Sequence, residues 1–65
     1  MRIDRIKLIT LMLEKDIKTQ ELAKKTGLAR ATISAARGGK SCSTETVLRL
    51  AKGLNVPLEE LIEMR

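Results

Sequence analysis

The pattern of hydrophobic and polar positions predicts two short helices in the middle of the chain, joined at Gly27. Across residues 20–26 this pattern places Leu22 and Ala23 on an inward face and leaves charged residues at the outer helical positions. A lone glycine after such a run indicates a helix end, because glycine enters a left-handed or sharply turned backbone without a steric cost. The pattern therefore predicts a helix, a tight turn and a second helix.

The second of these helices is predicted over residues 30–37, where Ile33 is the one large apolar residue. Ala29 and Ala36 lie beside Ile33 on the helical wheel, and the glycine pair at 38–39 ends the helix. The remaining face consists of the small side chains of Ala31, Thr32, Ser34 and Ala35. Such a face is poor material for a hydrophobic core and is suited to contact with a flat or grooved partner.

A longer helix is predicted from Arg2 to Lys15, and two apolar stripes compete for its inward face. The Leu8 stripe consists of Leu8, Leu11 and Met12, and the Ile9 stripe consists of Ile6, Ile9 and Leu13. If the Leu8 stripe is core, the Ile9 stripe needs a second surface, because each aliphatic side chain contributes about 1.5–3 kcal/mol when fully buried. If the helix is rotated and its following loop is longer, the Ile9 stripe is core, and Leu8 and Leu11 are partly exposed.

Two further helices are predicted in the second half of the chain. Ser43 is the expected N-cap of the first, with Glu45 in the first turn, where the helix dipole favours an anion. The apolar face of this helix consists of Val47, Leu48, Leu50, Ala51 and Leu54. Asn55 tolerates the left-handed conformation that ends a helix. Pro57 restarts the chain into a last short helix, predicted from Leu58 to Met64.

The charge distribution favours a polyanionic partner. The 65 residues carry a formal net charge of +5 and no aromatic side chain, and we expect one domain spanning residues 1–65. Residues 18–40 hold six cationic residues against the carboxylate of Glu21, a local net charge of +5, whereas residues 56–65 have a net charge of −2. Because RNA loops and single strands are bound by stacking on aromatic side chains, this composition argues against them.

The residue inventory excludes most catalytic and metal chemistry. The chain has no histidine and one cysteine, Cys42, so it offers no imidazole-based catalysis, no intramolecular disulfide and no usual zinc site. We therefore predict no catalytic residue, no cofactor and no metal. The apolar run from Ile6 to Leu13 is far shorter than the roughly 20 residues that span a bilayer. With no secretory signal visible, a cytoplasmic location is expected.

These features together resemble the phage repressor and Cro family of helix-turn-helix DNA-binding domains. The residues that carry the resemblance are Leu22-Ala23, Gly27, Ile33 and Gly39-Lys40, continued by STETVLRLAKGLNVPLEEL over residues 43–61. The resemblance extends from about Leu8 to Ile62. It implies an all-α fold, a compact bundle of five helices that binds operator DNA.

The resemblance also implies roles at the DNA surface. In repressor-type domains the second helix of the motif lies in the major groove, while the first helix crosses the DNA backbone. Matched residue by residue, the base-reading positions fall on Arg30, Ala31, Ser34 and Ala35. The expected phosphate contacts are Lys18, Thr19, Arg37, Lys40 and the backbone amides around Gly39 to Ser41. Phosphate contacts of this kind position a protein without reading sequence.

Departures from the family pattern lead to three local expectations. Lys18 stands where the family usually has a capping Ser or Thr, so Thr19 is an alternative cap that would start the helix one residue later. Ala29 likewise offers no capping side chain to the recognition helix. Met12 replaces a frequent arginine that can pair with an acidic residue at the position of Arg37. Arg37 is therefore expected to be free to bind phosphate.

The family register, counted back from Leu22-Ala23, assigns the Leu8 stripe and Ile17 to the core. Family dimers on operator DNA are joined near the last two helices, here at Pro57 and Leu58, which leaves the Ile9 stripe for a separate contact. We expect a bacterial or phage transcriptional regulator, a repressor that binds a palindromic double-stranded DNA site as a homodimer, with no small-molecule effector. The alternative is a protein-interaction module, such as an antitoxin or adaptor, that uses the Ile9 stripe.

Overall fold

The structure, a computed structural model, describes residues 2–63, which form helices joined by turns and short extended segments. It contains the helices α1 (Arg5–Glu14), α2 (Thr19–Thr26), α3 (Arg30–Arg37) and α4 (Thr44–Leu54), followed by a 3-10 turn at Leu58–Glu60. Between residues 2 and 63 the only β-type pairing consists of two isolated antiparallel bridges. The all-α prediction is confirmed, but four α-helices are present in this segment rather than the five expected.

α1 begins at Arg5, not at Arg2 as predicted. The Asp4 carboxylate caps the helix, because Oδ1 accepts hydrogen bonds from the amides of Ile6 (3.0 Å) and Lys7 (3.2 Å). Arg2 and Ile3 are extended instead and form the antiparallel bridges Arg2–Ser41 and Ile3–Ile62. The start of the chain therefore pairs with two distant segments before the first helix begins.

α1 buries the Leu8 stripe and leaves the Ile9 stripe at the surface, where Ile9 itself is half-buried. Leu8 and Met12 lie in the core, and Leu11 packs against it, whereas Ile6 is 60% exposed and Leu13 76% exposed. The alternative in which α1 is rotated to bury the Ile9 stripe is therefore wrong. The remaining core consists of Ile3, Ile17, Leu22, Ile33, Ala36, Val47, Leu50, Ala51, Leu54 and Leu61.

The helix predicted from Leu58 to Met64 is a single 3-10 turn that stops at Glu60. After this turn the backbone pairs with the start of the chain rather than with itself. Asp4 N donates to Leu61 O at 2.8 Å, and Glu63 N donates to Arg2 O at 3.0 Å. Leu61 is fully buried by this arrangement. The prediction for Met64 lies outside the described residues.

The predicted helix ends are confirmed in three places. Gly27 (φ 74°) and Asn55 (φ 58°) adopt the left-handed conformation at the ends of α2 and α4. The Ser43 hydroxyl caps α4 by accepting the amide of Thr46 at 3.2 Å. The N-cap of α2 is Lys18, which makes no side-chain capping hydrogen bond, so Thr19 is the first helical residue and not the cap.

α2 and α4 are in close contact at Gly53. A Cβ atom at this position would lie 2.6 Å from Cγ2 of Thr26 and 3.3 Å from Cδ1 of Leu22. The Thr26 side chain is fixed, because its hydroxyl donates to Leu22 O (2.8 Å) and accepts from Leu28 N (3.2 Å). The packing of α4 on the helix-turn-helix thus requires the absence of a side chain at residue 53.

We expect Gly53→Ala to lower the free energy of unfolding by about 1 kcal/mol, measured by urea denaturation. Alanine in a helix interior favours folding by about 1 kcal/mol, but overpacking a buried contact costs about 1–3 kcal/mol. Thr26→Ser removes Cγ2 and keeps the hydroxyl, so the cost of Gly53→Ala should shrink in that background. Lys52→Ala, at the neighbouring exposed position, is the matched control. An alanine variant as stable as the unmodified protein would contradict the packing argument.

Candidate nucleic-acid interface

The helix-turn-helix predicted from the sequence is present. α2 closes at Gly27, whose amide donates to Ala23 O at 2.9 Å. Thr26 then supports the turn through its hydrogen bond to the amide of Leu28. Ala29 precedes α3 with an extended backbone and makes no side-chain capping hydrogen bond, as expected. The backbone amides in the first turn of α3 therefore donate no hydrogen bond to an N-cap side chain.

α3 attaches to the core through one narrow face. Ile33 and Ala36 are fully buried. The residues predicted to read bases lie on the other side: Arg30, Ala31 and Ser34 are exposed, and Ala35 is half-buried. Ala31 and Ala35 also border a shallow groove whose far wall includes Ser41, Ser43 and Thr46. The structure thus brings the four predicted base-reading residues onto one accessible face.

Two of the predicted phosphate residues, Thr19 and Arg37, are in direct contact. Nη1 of Arg37 donates a hydrogen bond to Oγ1 of Thr19 at 2.9 Å. Arg37 makes no ion pair within residues 2–63, so this hydrogen bond to Thr19 is the contact that holds its guanidinium. The guanidinium has further N–H donors, and the Thr19 hydroxyl still has its own hydrogen to donate. Both side chains reach the surface at the N-terminal end of α2, beside Lys18.

The backbone after α3 differs from the prediction of open amides. Gly39 N donates to Ala36 O at 3.0 Å, and Lys40 N donates to Ala35 O at 3.1 Å. These bonds close the end of α3, with Gly39 at a positive φ of 90°. Two of the amides proposed as phosphate donors are thus already used, whereas the side chains of Lys40 and Ser41 are exposed.

Several cations on this surface are not neutralised by an ion pair within the described part of the protein. Ion pairs within residues 2–63 join Arg2 to Glu63 (3.6 Å), Lys25 to Glu21 (3.9 Å) and Arg49 to Glu45 (3.4 Å). In this same segment Lys18, Arg30 and Lys40 have no carboxylate partner. The face formed by α3 and its two flanks is therefore positively charged.

One cation beside this surface was missed by the sequence reasoning. Arg5 begins α1, yet its Cδ atom lies 3.3 Å from where a Cβ atom on Gly39 would be. No local pattern predicts this proximity, since it follows from the pairing of the N-terminal segment with Ser41 and Ile62. The capping residue Asp4 is the one signal in the sequence that could have placed the start of the first helix at Arg5 rather than at Arg2.

Other kinds of site have no counterpart in the described part of the chain. Residues 2–63 contain no cluster of three or more His, Cys, Asp or Glu side chains that could hold a metal ion. None of the helices in this segment has both the length and the apolar character needed to cross a bilayer.

Comparison with known families agrees with this geometry. The family model for the Cro/C1-type HTH DNA-binding domain matches residues 7–65, a span that includes α2, α3 and α4. No curated protein and no solved structure matches the chain. Because the family match covers most of the chain and contains the whole helix-turn-helix, this chain belongs to the Cro/C1-type helix-turn-helix family of DNA-binding domains.

Proposed function

We propose that this chain is a transcriptional repressor that binds a palindromic duplex site as a homodimer, with α3 in the major groove. DNA binding itself follows from membership of the Cro/C1-type family. The observation that carries the more specific proposal is the accessible face of α3, whose side chains between Arg30 and Arg37 are no longer than threonine. Helices that read bases in this fold enter the major groove with their N-terminal residues against the base edges.

Arg30 is the residue best suited to direct base readout. It is exposed in the first turn of α3 and is the only long cationic side chain among the predicted base-reading positions. Arginine matches the O6 and N7 acceptors of guanine with two parallel hydrogen bonds. Ala31 and Ala35 are short enough to let the helix lie deep in the groove, and alanine methyl groups contact thymine methyl groups.

Phosphate binding is assigned to side chains on both flanks of α3. On one flank the uncapped first turn of α2 offers free amides, together with the hydroxyl of Thr19 and the remaining donors of Arg37. On the other flank Lys40 and Ser41 are exposed. Arg37 of α3 contacts Thr19 on the first flank, and Ser41 on the second flank lines the same groove as Ala31 and Ala35, so both flanks adjoin the α3 face.

The first test measures the salt dependence of duplex binding. If each protomer neutralises about four phosphates, the slope of log K against log salt is about −0.9 times the number neutralised, or roughly −7 for a dimer. The measurement is a fluorescence-anisotropy titration of random-sequence duplex at several salt concentrations. Absence of binding at low salt, or a slope near zero, would contradict the proposal.

The second test separates base readout from phosphate binding. Arg30→Ala should weaken binding to the selected site by about 1–3 kcal/mol and relax the preference at one base pair in each half-site. Lys40→Ala should weaken all sequences by a similar factor, since a phosphate contact does not distinguish bases. Equal loss on specific and random DNA in the Arg30→Ala variant would make Arg30 another phosphate contact.

The position of the Ile9 stripe at the surface of α1 favours a second candidate function, that of a protein-interaction module. Ile6 (60%) and Leu13 (76%) are the most exposed large aliphatic residues on α1. Ile9 and Leu13 border a cleft that also contains Met12 and Ile17. A family-type dimer through Pro57 and Leu58 would leave this stripe available for a separate contact.

Under this second candidate function, Leu13→Lys leaves the chain folded and lowers its self-association. Folding should persist because the side chain is largely exposed, and association should fall because a lysine replaces apolar contact area. Circular dichroism reports the first result and sedimentation velocity the second, with Ile9→Lys as a companion variant. Unchanged association together with intact DNA binding would exclude the stripe as an interface between copies.

A further inference from the structure

We propose that the DNA-binding surface extends beyond the helix-turn-helix to Arg5, which binds a backbone phosphate next to the one bound by Lys40. This inference rests on the proposed function, since it concerns the same face of the protein. It adds a contact from the first turn of α1, an element that the helix-turn-helix motif does not include.

The position of Arg5 is set by backbone pairing. Arg2 pairs with Ser41, and Ile3 pairs with Ile62 and is 1% exposed, so the segment before α1 is anchored on both sides. Asp4 then caps α1 and fixes where its first turn begins. As a result Arg5 is carried by the same rigid arrangement that holds the loop following α3.

The side chain of Arg5 runs along this loop. Its Cδ atom would be 3.3 Å from a Cβ atom at Gly39, so a side chain at residue 39 would crowd it. Gly39 also has a φ of 90°, which favours glycine at this position. The stem of Arg5 therefore passes beside the residue that precedes Lys40, and the two cations border the same loop. Each DNA strand offers one phosphate charge per about 3.4 Å of helix axis, which allows two neighbouring cations to bind neighbouring phosphates.

No interaction within the protein accounts for the charge of Arg5. Between residues 2 and 63 the side chain of Arg5 makes no ion pair or hydrogen bond, and Arg5 is exposed. Of the two carboxylates nearby, Asp4 accepts backbone amides and Glu63 pairs with Arg2. A cation in the first turn of a helix is also opposed by the helix dipole. The positive charge of Arg5 therefore does not stabilise α1, and it is available to bind an anion outside the protein.

The test compares Arg5→Gln with Lys7→Gln. Both variants remove one positive charge from the first turn of α1, but residues two apart on a helix point in nearly opposite directions, and Lys7 does not border the cleft that contains Arg5 and Gly39. The probe is a random-sequence duplex, titrated by fluorescence anisotropy over a range of salt concentrations. Thermal melting followed by circular dichroism verifies that each variant folds.

For Arg5→Gln we expect the magnitude of the salt slope to fall by about 0.9 for each bound protomer, with weaker binding to specific and random DNA alike. Lys7→Gln should retain the slope of the unmodified protein, and so should Arg5→Lys, which keeps the charge. Equal salt slopes for Arg5→Gln and Lys7→Gln would overturn the inference. A slope in Arg5→Lys that falls as much as in Arg5→Gln would overturn it as well. If the unmodified protein itself fails to bind duplex DNA, the proposed function fails instead.

Discussion

The burial of α3 through Ile33 and Ala36 is the constraint on which the rest of the structure depends. α3 has eight residues, fewer than the roughly 12–15 that an isolated helix needs to be even marginally stable in water. It also lacks a side-chain N-cap. Its helical state must therefore come from packing, and the two buried residues provide the attachment. Because that attachment uses one narrow face, most of the helix surface remains available to DNA.

A few side-chain hydrogen bonds also connect the parts of the helix-turn-helix. Thr26 is buried, and its hydroxyl both donates to Leu22 O and accepts from Leu28 N, which joins the last turn of α2 to the following turn. Arg37 connects the end of α3 to the start of α2 through Thr19. With no aromatic side chain in the core, such directional contacts add orientation that aliphatic packing alone specifies weakly.

Local chemistry explains which features could be predicted from the sequence. The ends of α2 and α4 depend on residues whose backbone preferences are intrinsic, namely Gly27 and Asn55, and the cap of α4 depends on the hydroxyl of Ser43. The accessible face of α3 followed from the spacing around Ile33, and the Cro-type family assignment followed from the same pattern.

Features that depend on distant partners could not be predicted in this way. The sequence around Ile3 is compatible with a helix. In the structure, however, Ile3 is extended and buried, and it pairs with Ile62. The same pairing ends the final helix after one 3-10 turn. At the candidate interface, the Arg37–Thr19 hydrogen bond and the position of Arg5 beside Gly39 join residues far apart in the chain. Neither hydrophobic periodicity nor capping chemistry carries information about such pairs.

The Ile3–Ile62 pairing has a practical consequence for the topology of the molecule. Since residues 3 and 62 are opposite each other, the two ends of the described segment leave the fold side by side, near Ser41. An affinity tag or fused domain on either end would therefore emerge at the edge of the candidate DNA surface and obstruct it. The same proximity makes the fold suitable for circular permutation, because a short linker between neighbouring ends adds little loop-closure entropy.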